Sequence, residues 1–171
     1  MTVTRHDMFR ADRQPILGLT MGDPAGIGPE VVAKALATDQ IRRLCRPLVI
    51  GSEPEMRRTV RSLGLPLRVV EVEGHGRPLG HGCELPVLDP LSSPLGRFRM
   101  GSPTKKTGAA AVAFITTAVR LAKVGCISGI VTGPISKEAI HLAGYRYPGH
   151  TELLGELTHS KEVGMMIVGG P

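Results

Sequence analysis

A glycine-rich turn at residues 22–30, GDPAGIGPE, is the first part of the sequence whose residues could do chemistry. It follows an apolar run at residues 16–21, which predicts a buried strand, and it leads into an amphipathic helix. Glycines let a ligand approach the backbone amides, and amides at a helix N-terminus carry partial positive charge. The turn around Asp23, Gly26 and Gly28 therefore predicts an anion site, although a tight turn without a ligand fits the same residues.

Two common nucleotide-binding motifs do not fit this turn. The dinucleotide fingerprint Gly-x-Gly-x-x-Gly aligns with Gly26 and Gly28, but Val31 stands where its third glycine should be. A phosphate loop of the Walker type is also excluded, because no Gly-Lys-Ser or Gly-Lys-Thr follows the glycines. Any anion at this turn is thus bound without either fingerprint.

A second candidate is the pair His150 and Thr151 within residues 147–152, YPGHTE. The apolar residues that follow predict a helix, so the histidine is expected in the loop that precedes it, with Thr151 as the N-cap. An imidazole, a hydroxyl and helix amides together can bind an oxyanion. The alternative is a capping turn in which His150 only packs.

Lys137 is a third candidate, since it follows residues 132–136, TGPIS, at the end of a strand predicted for residues 127–131. Ligands of α/β proteins gather at the carboxyl ends of such strands. The lysine could therefore line a site there, or it could be a solvated side chain on a short helix.

No metal site is predicted. His141, His150 and His159 lie nine residues apart, a spacing that does not place two of them together on one helix turn. The Gly-His-Gly sequences at residues 74–76 and 80–82 are interpreted as glycine-rich loop, because flexible histidines lack the supporting hydrogen bonds of a metal site.

Composition excludes several classes of function. The chain of 171 residues is 42% hydrophobic and 21% charged, which is typical of a globular protein. Its net charge is +6, but the basic residues are scattered and aromatic residues make up only 3%, so nucleic acid is not an expected partner. Three widely spaced cysteines and the lack of a long apolar run predict a cytoplasmic protein without a membrane segment.

Alternation of apolar runs and helical patterns predicts an α/β fold with a mostly parallel sheet covered by helices. Residues 1–14 are expected to form a flexible tail, and residues 15–171 the folded unit. Further expectations are a capping box from Ser52 to Glu55, a helix that Gly64 ends, a loop at residues 73–101 and a buried strand at residues 163–168.

Three segments together resemble the signature segments of the 4-hydroxythreonine-4-phosphate dehydrogenase family. They are GDPAGIGPE at residues 22–30, TGPISKEA at residues 132–139 and YPGHTE at residues 147–152, and they follow in the family's order across most of the chain. The resemblance implies a three-layer αβα fold similar to isocitrate and isopropylmalate dehydrogenases. It also implies a homodimer that uses NAD or NADP and a divalent metal such as Zn, Mg or Co.

The implied reaction oxidises a phosphorylated four-carbon hydroxy acid, after which the keto acid loses CO2. The segments look closer to the 4-phosphothreonate or 4-phosphoerythronate branch than to the pyridoxine (vitamin B6) branch, which acts on 4-hydroxythreonine 4-phosphate. A cis-dihydrodiol carboxylate is the alternative substrate, and a non-catalytic anion-binding or interaction module is the alternative function.

By the family's pattern, His150 and Thr151 bind the substrate, while Asp23, Gly26, Gly28 and Lys137 are possible lining residues. The family's three metal-binding histidines and its cofactor segments lie beyond the position that matches Val168. The chain is therefore interpreted as the N-terminal portion of such an enzyme, incomplete at its C-terminus and inactive alone.

Overall fold

The computed structural model describes residues 14–73 and 82–169. Helices connect most of the strands along them, as the sequence predicts. In chain order they are β1 (Ile16–Thr20), α1 (Gly28–Leu36), α2 (Asp39–Leu44), β2 (Arg46–Ile50), α3 (Glu53–Ser62), β3 (Arg68–Glu71), β4 (Glu84–Leu88), α4 (Lys105–Lys123), β5 (Gly129–Thr132), α5 (Lys137–Leu142) and α6 (His150–Thr158).

The five strands form one parallel sheet in the order β3-β4-β2-β1-β5. The connections through α1 and α3 step toward one edge of the sheet, whereas the connection through α4 steps back across it to the other edge. Because such crossovers are right-handed, α1 and α3 cover one face and α4 covers the opposite face. The predicted parallel, helix-covered α/β sheet is confirmed.

Helix α4 has two buried faces. One face packs on the sheet through residues such as Phe114, which is fully buried in the main core. The other face meets α5 and α6 in a second cluster, where Ile115 packs with Ile140 and Leu153. The position of α5 and α6 relative to the sheet is therefore set through α4.

Strand β4 falls inside the segment that the sequence predicts as a loop, and it lies between β3 and β2. Its run of five residues contains Pro86 and is flanked by glycine and proline, so local signals oppose a strand. Pairing with Val70 of β3 and the burial of Leu85 and Val87 decide the conformation instead.

The predicted capping box at the start of α3 is wrong. Ser52 occupies the N-cap position, but its side chain makes no capping hydrogen bond, and the carboxylate of Glu55 forms an ion pair with Arg58. The amide of Glu53 instead donates to Oδ2 of Asp89, at 2.9 Å, just beyond the end of β4. Long-range contact thus replaces the local cap. The predicted glycine end of α3 is confirmed, since Gly64 has a φ of 60°.

The buried strand predicted for residues 163–168 is also wrong. These residues form neither strand nor helix, and Met166 and Ile167 are 86% and 88% exposed. A strand needs a hydrogen-bonded neighbour, and none of the described strands pairs with this segment. The tail predicted for residues 1–14, apart from Gln14, and His75 and His81 lie outside the described residues.

No helix in the described ranges combines the length and the apolar character that crossing a membrane requires.

Two glycines inside helices give a matched test of this packing. A Cβ on Gly108 of α4 would overlap the backbone carbonyl of Ala139, whereas a Cβ on Gly155 of α6 would lie 3.0 Å from the movable side chain of Val163. We expect Gly108→Ala to lower the free energy of unfolding by about 1–3 kcal/mol or more through overpacking. Gly155→Ala should be neutral or stabilising by up to about 1 kcal/mol, because alanine favours helix.

Urea unfolding of both variants measures the difference. Equal effects of the two substitutions would contradict the close approach of α4 to α5.

Candidate active site

The carboxyl ends of β1 and β5 lie side by side and are joined by backbone hydrogen bonds. The amide of Asp23 donates to the carbonyl oxygen of Pro134 at 2.9 Å, and the amide of Gly133 donates to the carbonyl oxygen of Thr20 at 2.9 Å. Gly133 also donates to the hydroxyl of Thr20, at 3.2 Å. The glycine turn at residues 22–30 and the segment at residues 132–139 thus form one structural unit at the carboxyl ends of the strands, where α/β proteins bind ligands.

Glycines make this close approach possible. Gly22 has a φ of 76°, and a Cβ on it would overlap the carbonyl oxygen of Pro134. A Cβ on Gly28 would overlap the carbonyl oxygen of Met21, and one on Gly133 would lie 2.6 Å from the carbonyl oxygen of Thr20. Packing of backbone on backbone therefore accounts for these glycines without a ligand.

The turn uses several of its own amides. Asp23 is buried, and its Oδ1 accepts a hydrogen bond from the amide of Ala25 at 2.9 Å. Its carbonyl oxygen accepts one from the amide of Gly26 at 3.0 Å. These amides are not available to a ligand, so the geometry favours an anion site elsewhere at this edge. The site roles of Asp23, Gly26 and Gly28 stay predictions.

His150 begins α6 and places its imidazole next to the backbone of Gly133. The expected arrangement is wrong in detail, because Gly149 is the N-cap, His150 is the first helical residue, and Thr151 lies within the first turn without capping it. The segment at residues 147–152 is nevertheless brought to the end of β5, so all three signature segments converge.

The imidazole of His150 has an unusual environment. Its Nε2 is buried and has no hydrogen-bond partner within the described part of the chain. Burial lowers the pKa of His150, and the adjacent backbone of Gly133 opposes this effect more weakly. The ring is therefore mostly neutral at pH 7 and carries a polar atom that a ligand could satisfy.

Lys137 is the first residue of α5 and its side chain is exposed. Ser136 caps this helix, because its hydroxyl accepts a hydrogen bond from the amide of Ala139 at 3.2 Å. Lys137 lies three residues beyond Pro134, so it is at the carboxyl end of β5, where the other candidate residues also lie. Its contact with a ligand stays a prediction.

Sequence reasoning missed a hydrogen bond beside this site. The hydroxyl of Tyr147 donates to Oε1 of Glu156 at 2.8 Å. The two residues lie on either side of the start of α6 and belong to no recognisable motif. Helical phase alone gives no signal for such a bond, because Tyr147 precedes the helix.

The described residues do not fit a metal or a dinucleotide. No group of three or more His, Cys, Asp or Glu side chains in residues 14–73 and 82–169 could hold a metal ion. The glycine turn lacks the fingerprint and has already used several amides, so it offers no cradle for a pyrophosphate.

A cleft of about 530 Å³ lies near the amino ends of β2 and β4, at the end of the strands away from the candidate site. Arg42, Arg46 and Glu84 are among its lining residues, and none of the candidate site residues is. The cleft and the candidate site are therefore separate features.

The fold and site define a class of protein. A parallel α/β sheet carries convergent strand-end turns and a helix N-terminus with an unsatisfied imidazole at its carboxyl edge, as small-molecule-binding α/β proteins do.

The chain belongs to the family described as pyridoxal phosphate biosynthetic protein PdxA, whose sequence profile matches residues 43–171. This finding confirms the family resemblance.

Individual relatives support the same family membership. The chain is 40% identical over 162 residues to D-threonate 4-phosphate dehydrogenase of Cupriavidus necator, an alignment that covers 92% of this chain and 47% of that protein. It is 39% identical over 160 residues to 4-hydroxythreonine-4-phosphate dehydrogenase of Desulforapulum autotrophicum, with 92% and 46% covered. The crystal structure of a 4-hydroxythreonine-4-phosphate dehydrogenase from Burkholderia phymatum has a TM-score of 0.86 at 38% identity, with 92% and 48% covered. The chain thus spans about half the length of these relatives.

The lowered pKa of His150 predicts a pH dependence of stability. The unfolded chain binds a proton near the ordinary value of 6.5, while the folded chain binds it only at a lower pH. The neutral imidazole therefore contributes stability above pH 6.5, and this contribution is lost as the pH falls below 6.5 toward the folded pKa.

Thermal unfolding of the wild type and His150→Asn across this window tests the expectation. The wild type should lose more stability than the variant as the pH falls. Both proteins contain the other titratable groups, such as Glu55, whose pKa burial raises. The difference between the two proteins therefore isolates the contribution of His150. Plots of melting temperature against pH that run parallel for the two proteins would contradict the expected contribution of His150.

Proposed function

We propose that this chain is the substrate-orienting half of a dehydrogenase that oxidises a phosphorylated four-carbon hydroxy acid. The observation that carries the proposal is the buried Nε2 of His150, which has no partner among the described residues and lies where the three signature segments converge. The names of the relatives, which are D-threonate 4-phosphate and 4-hydroxythreonine-4-phosphate dehydrogenases, support this substrate class.

His150 and Thr151 would bind the substrate together. Both lie in the first turn of α6, where unpaired helix amides attract negative charge. The imidazole Nε2 supplies one hydrogen bond and the Thr151 hydroxyl a second, so that an anionic group of the substrate is fixed relative to the end of β5. A hydrogen bond to an anion requires a proton on Nε2, and binding of an anion would favour this protonation of the ring.

In the proposed reaction NAD or NADP would accept the hydride from the substrate's secondary alcohol, and a divalent metal such as Zn, Mg or Co would supply charge stabilisation for the loss of CO2. The described residues do not supply the sites for these groups, so we assign the groups to the other half of the relatives' length. A homodimer in the cytoplasm belongs to the same proposal.

Identity to the relatives does not separate the substrate branches, because the values of 40% and 39% are nearly equal. We propose 4-phosphothreonate or 4-phosphoerythronate first, on the sequence of the third segment, and 4-hydroxythreonine 4-phosphate second. A non-catalytic anion-binding module remains the alternative function, and it shares the His150 site.

Binding to the 171-residue chain gives the most direct test. We expect 4-phospho-D-threonate to perturb the His150 imidazole signals in an NMR titration, and D-threonate without phosphate to bind more weakly. His150→Asn should weaken binding by about tenfold or more, since it removes a hydrogen bond to a charged group. His159→Asn is the matched control, because His159 lies at the other end of α6 with a φ of 57° that asparagine tolerates. Equal loss in both variants would contradict the site.

Turnover separates the enzyme from the binding module. We expect a protein of the relatives' full length to reduce NAD or NADP with a phosphorylated hydroxy acid, and the 171-residue chain alone to give no turnover. Oxidation of a cis-dihydrodiol carboxylate alone would contradict the proposed substrate class. Binding without any turnover in the full-length protein would favour the non-catalytic module.

A further inference from the structure

The start of α6 has few local features to hold it in place. Gly149 is the N-cap and has no side chain, and no side-chain cap is formed there. The helix has nine residues and packs on α4 through the buried Leu153, with Leu154 and Leu157 partly buried against the same cluster. These contacts begin at the fourth residue of the helix, so the first turn, which carries His150, needs a further constraint to fix its direction.

Tyr147 supplies contacts in three directions. Its ring stacks on Tyr145 with 6.4 Å between ring centroids, and it packs against the second core cluster. Its carbonyl oxygen lies 3.3 Å from Nε2 of His141, at the end of α5. Its hydroxyl donates to Oε1 of Glu156, at 2.8 Å, on the exposed side of α6. The residue thus ties the loop to α5 and to α6 at once.

We propose that Tyr147 and Glu156 form a positioning pair that fixes the first turn of α6 and holds the imidazole of His150 against Gly133. The pair does not touch the substrate. It acts by tying the loop before α6 to the helix, so that the first turn is fixed and the Nε2 atom keeps one position. The inference rests on the proposed role of His150 in substrate binding and adds a determinant of that binding.

The chemistry of the bond suits this task. The hydrogen bond to Glu156 is the main cause of a raised pKa for Tyr147, with burial as a smaller cause. The phenol of Tyr147 therefore stays a donor across the neutral range. A bond between a hydroxyl and a charged acceptor is stronger than one between neutral groups.

The direct readout is the His150 imidazole itself, followed by NMR in the 171-residue chain. Tyr147→Phe keeps the stacked ring and removes the hydroxyl, and Glu156→Ala removes the acceptor. In both variants we expect the pKa of His150 to rise toward the ordinary value, by about half a pH unit, as water reaches the loosened ring. Glu156→Gln should preserve the wild-type value, because its amide oxygen still accepts the bond.

Tyr145→Phe is the matched control, because it removes a hydroxyl from the other ring of the stacked pair, and it should leave the pKa of His150 unchanged. The double variant Tyr147→Phe with Glu156→Ala should show no larger shift than either single variant, since both remove the same bond. If Tyr147→Phe fails to fold, the comparison of Glu156→Ala with Glu156→Gln carries the test.

Two outcomes would overturn the inference. One is a lowered melting temperature with an unchanged pKa of His150, which would show a structural role only. The other is a shift in Glu156→Gln as large as that in Glu156→Ala. Titration with 4-phospho-D-threonate adds a second readout, in which Tyr147→Phe should weaken binding about fivefold. If the wild type does not bind this probe, the proposed function fails, whereas the pKa comparison still tests the pair.

Discussion

The rest of the structure depends on the contact between the two turns that follow β1 and β5. Gly22 lies against Pro134 and Gly133 lies against Thr20, at separations that a Cβ would not allow. Two backbone hydrogen bonds, from Asp23 and from Gly133, fix the contact. Because β1 leads into α1 and β5 into α5, the contact sets where both helices begin. It also provides the backbone beside which His150 is held.

The second constraint is the packing of α4 between the sheet and the outer helices. Gly108 allows the backbone of Ala139 to lie directly on α4, so α5 has almost no freedom to slide. Leu153 fixes α6 to the same helix. The sheet fixes α4 through residues such as Phe114, so an error in core packing would be transmitted to the first turn of α6. Stability and site geometry are therefore coupled in this fold.

Patterns within a short segment were enough to predict most of the fold. The buried strand before the glycine turn and the glycine end of α3 at Gly64 are confirmed. Several of the errors share a cause, because they depend on a partner outside the short segment that the pattern covers. Strand β4 is made by its neighbours, Asp89 replaces the cap expected from Ser52, and the bond of Tyr147 to Glu156 needs α6 to be in place. The convergence of the three segments likewise follows from topology rather than from any one of them.

At the carboxyl ends of the strands, the available hydrogen-bond donors favour an anion beside His150 over an anion at the glycine turn. The turn has satisfied the amides of Ala25 and Gly26 internally, so an anion there would have to compete with existing bonds. At α6 the first-turn amides have no side-chain cap, and the imidazole Nε2 is already desolvated. Once Nε2 is protonated, this desolvated donor makes a stronger bond to a charged ligand than an exposed one, because the cost of removing water was met on folding. The proposed binding role of His150 thus depends on the same burial that lowers its pKa, and a bound anion would raise that pKa again.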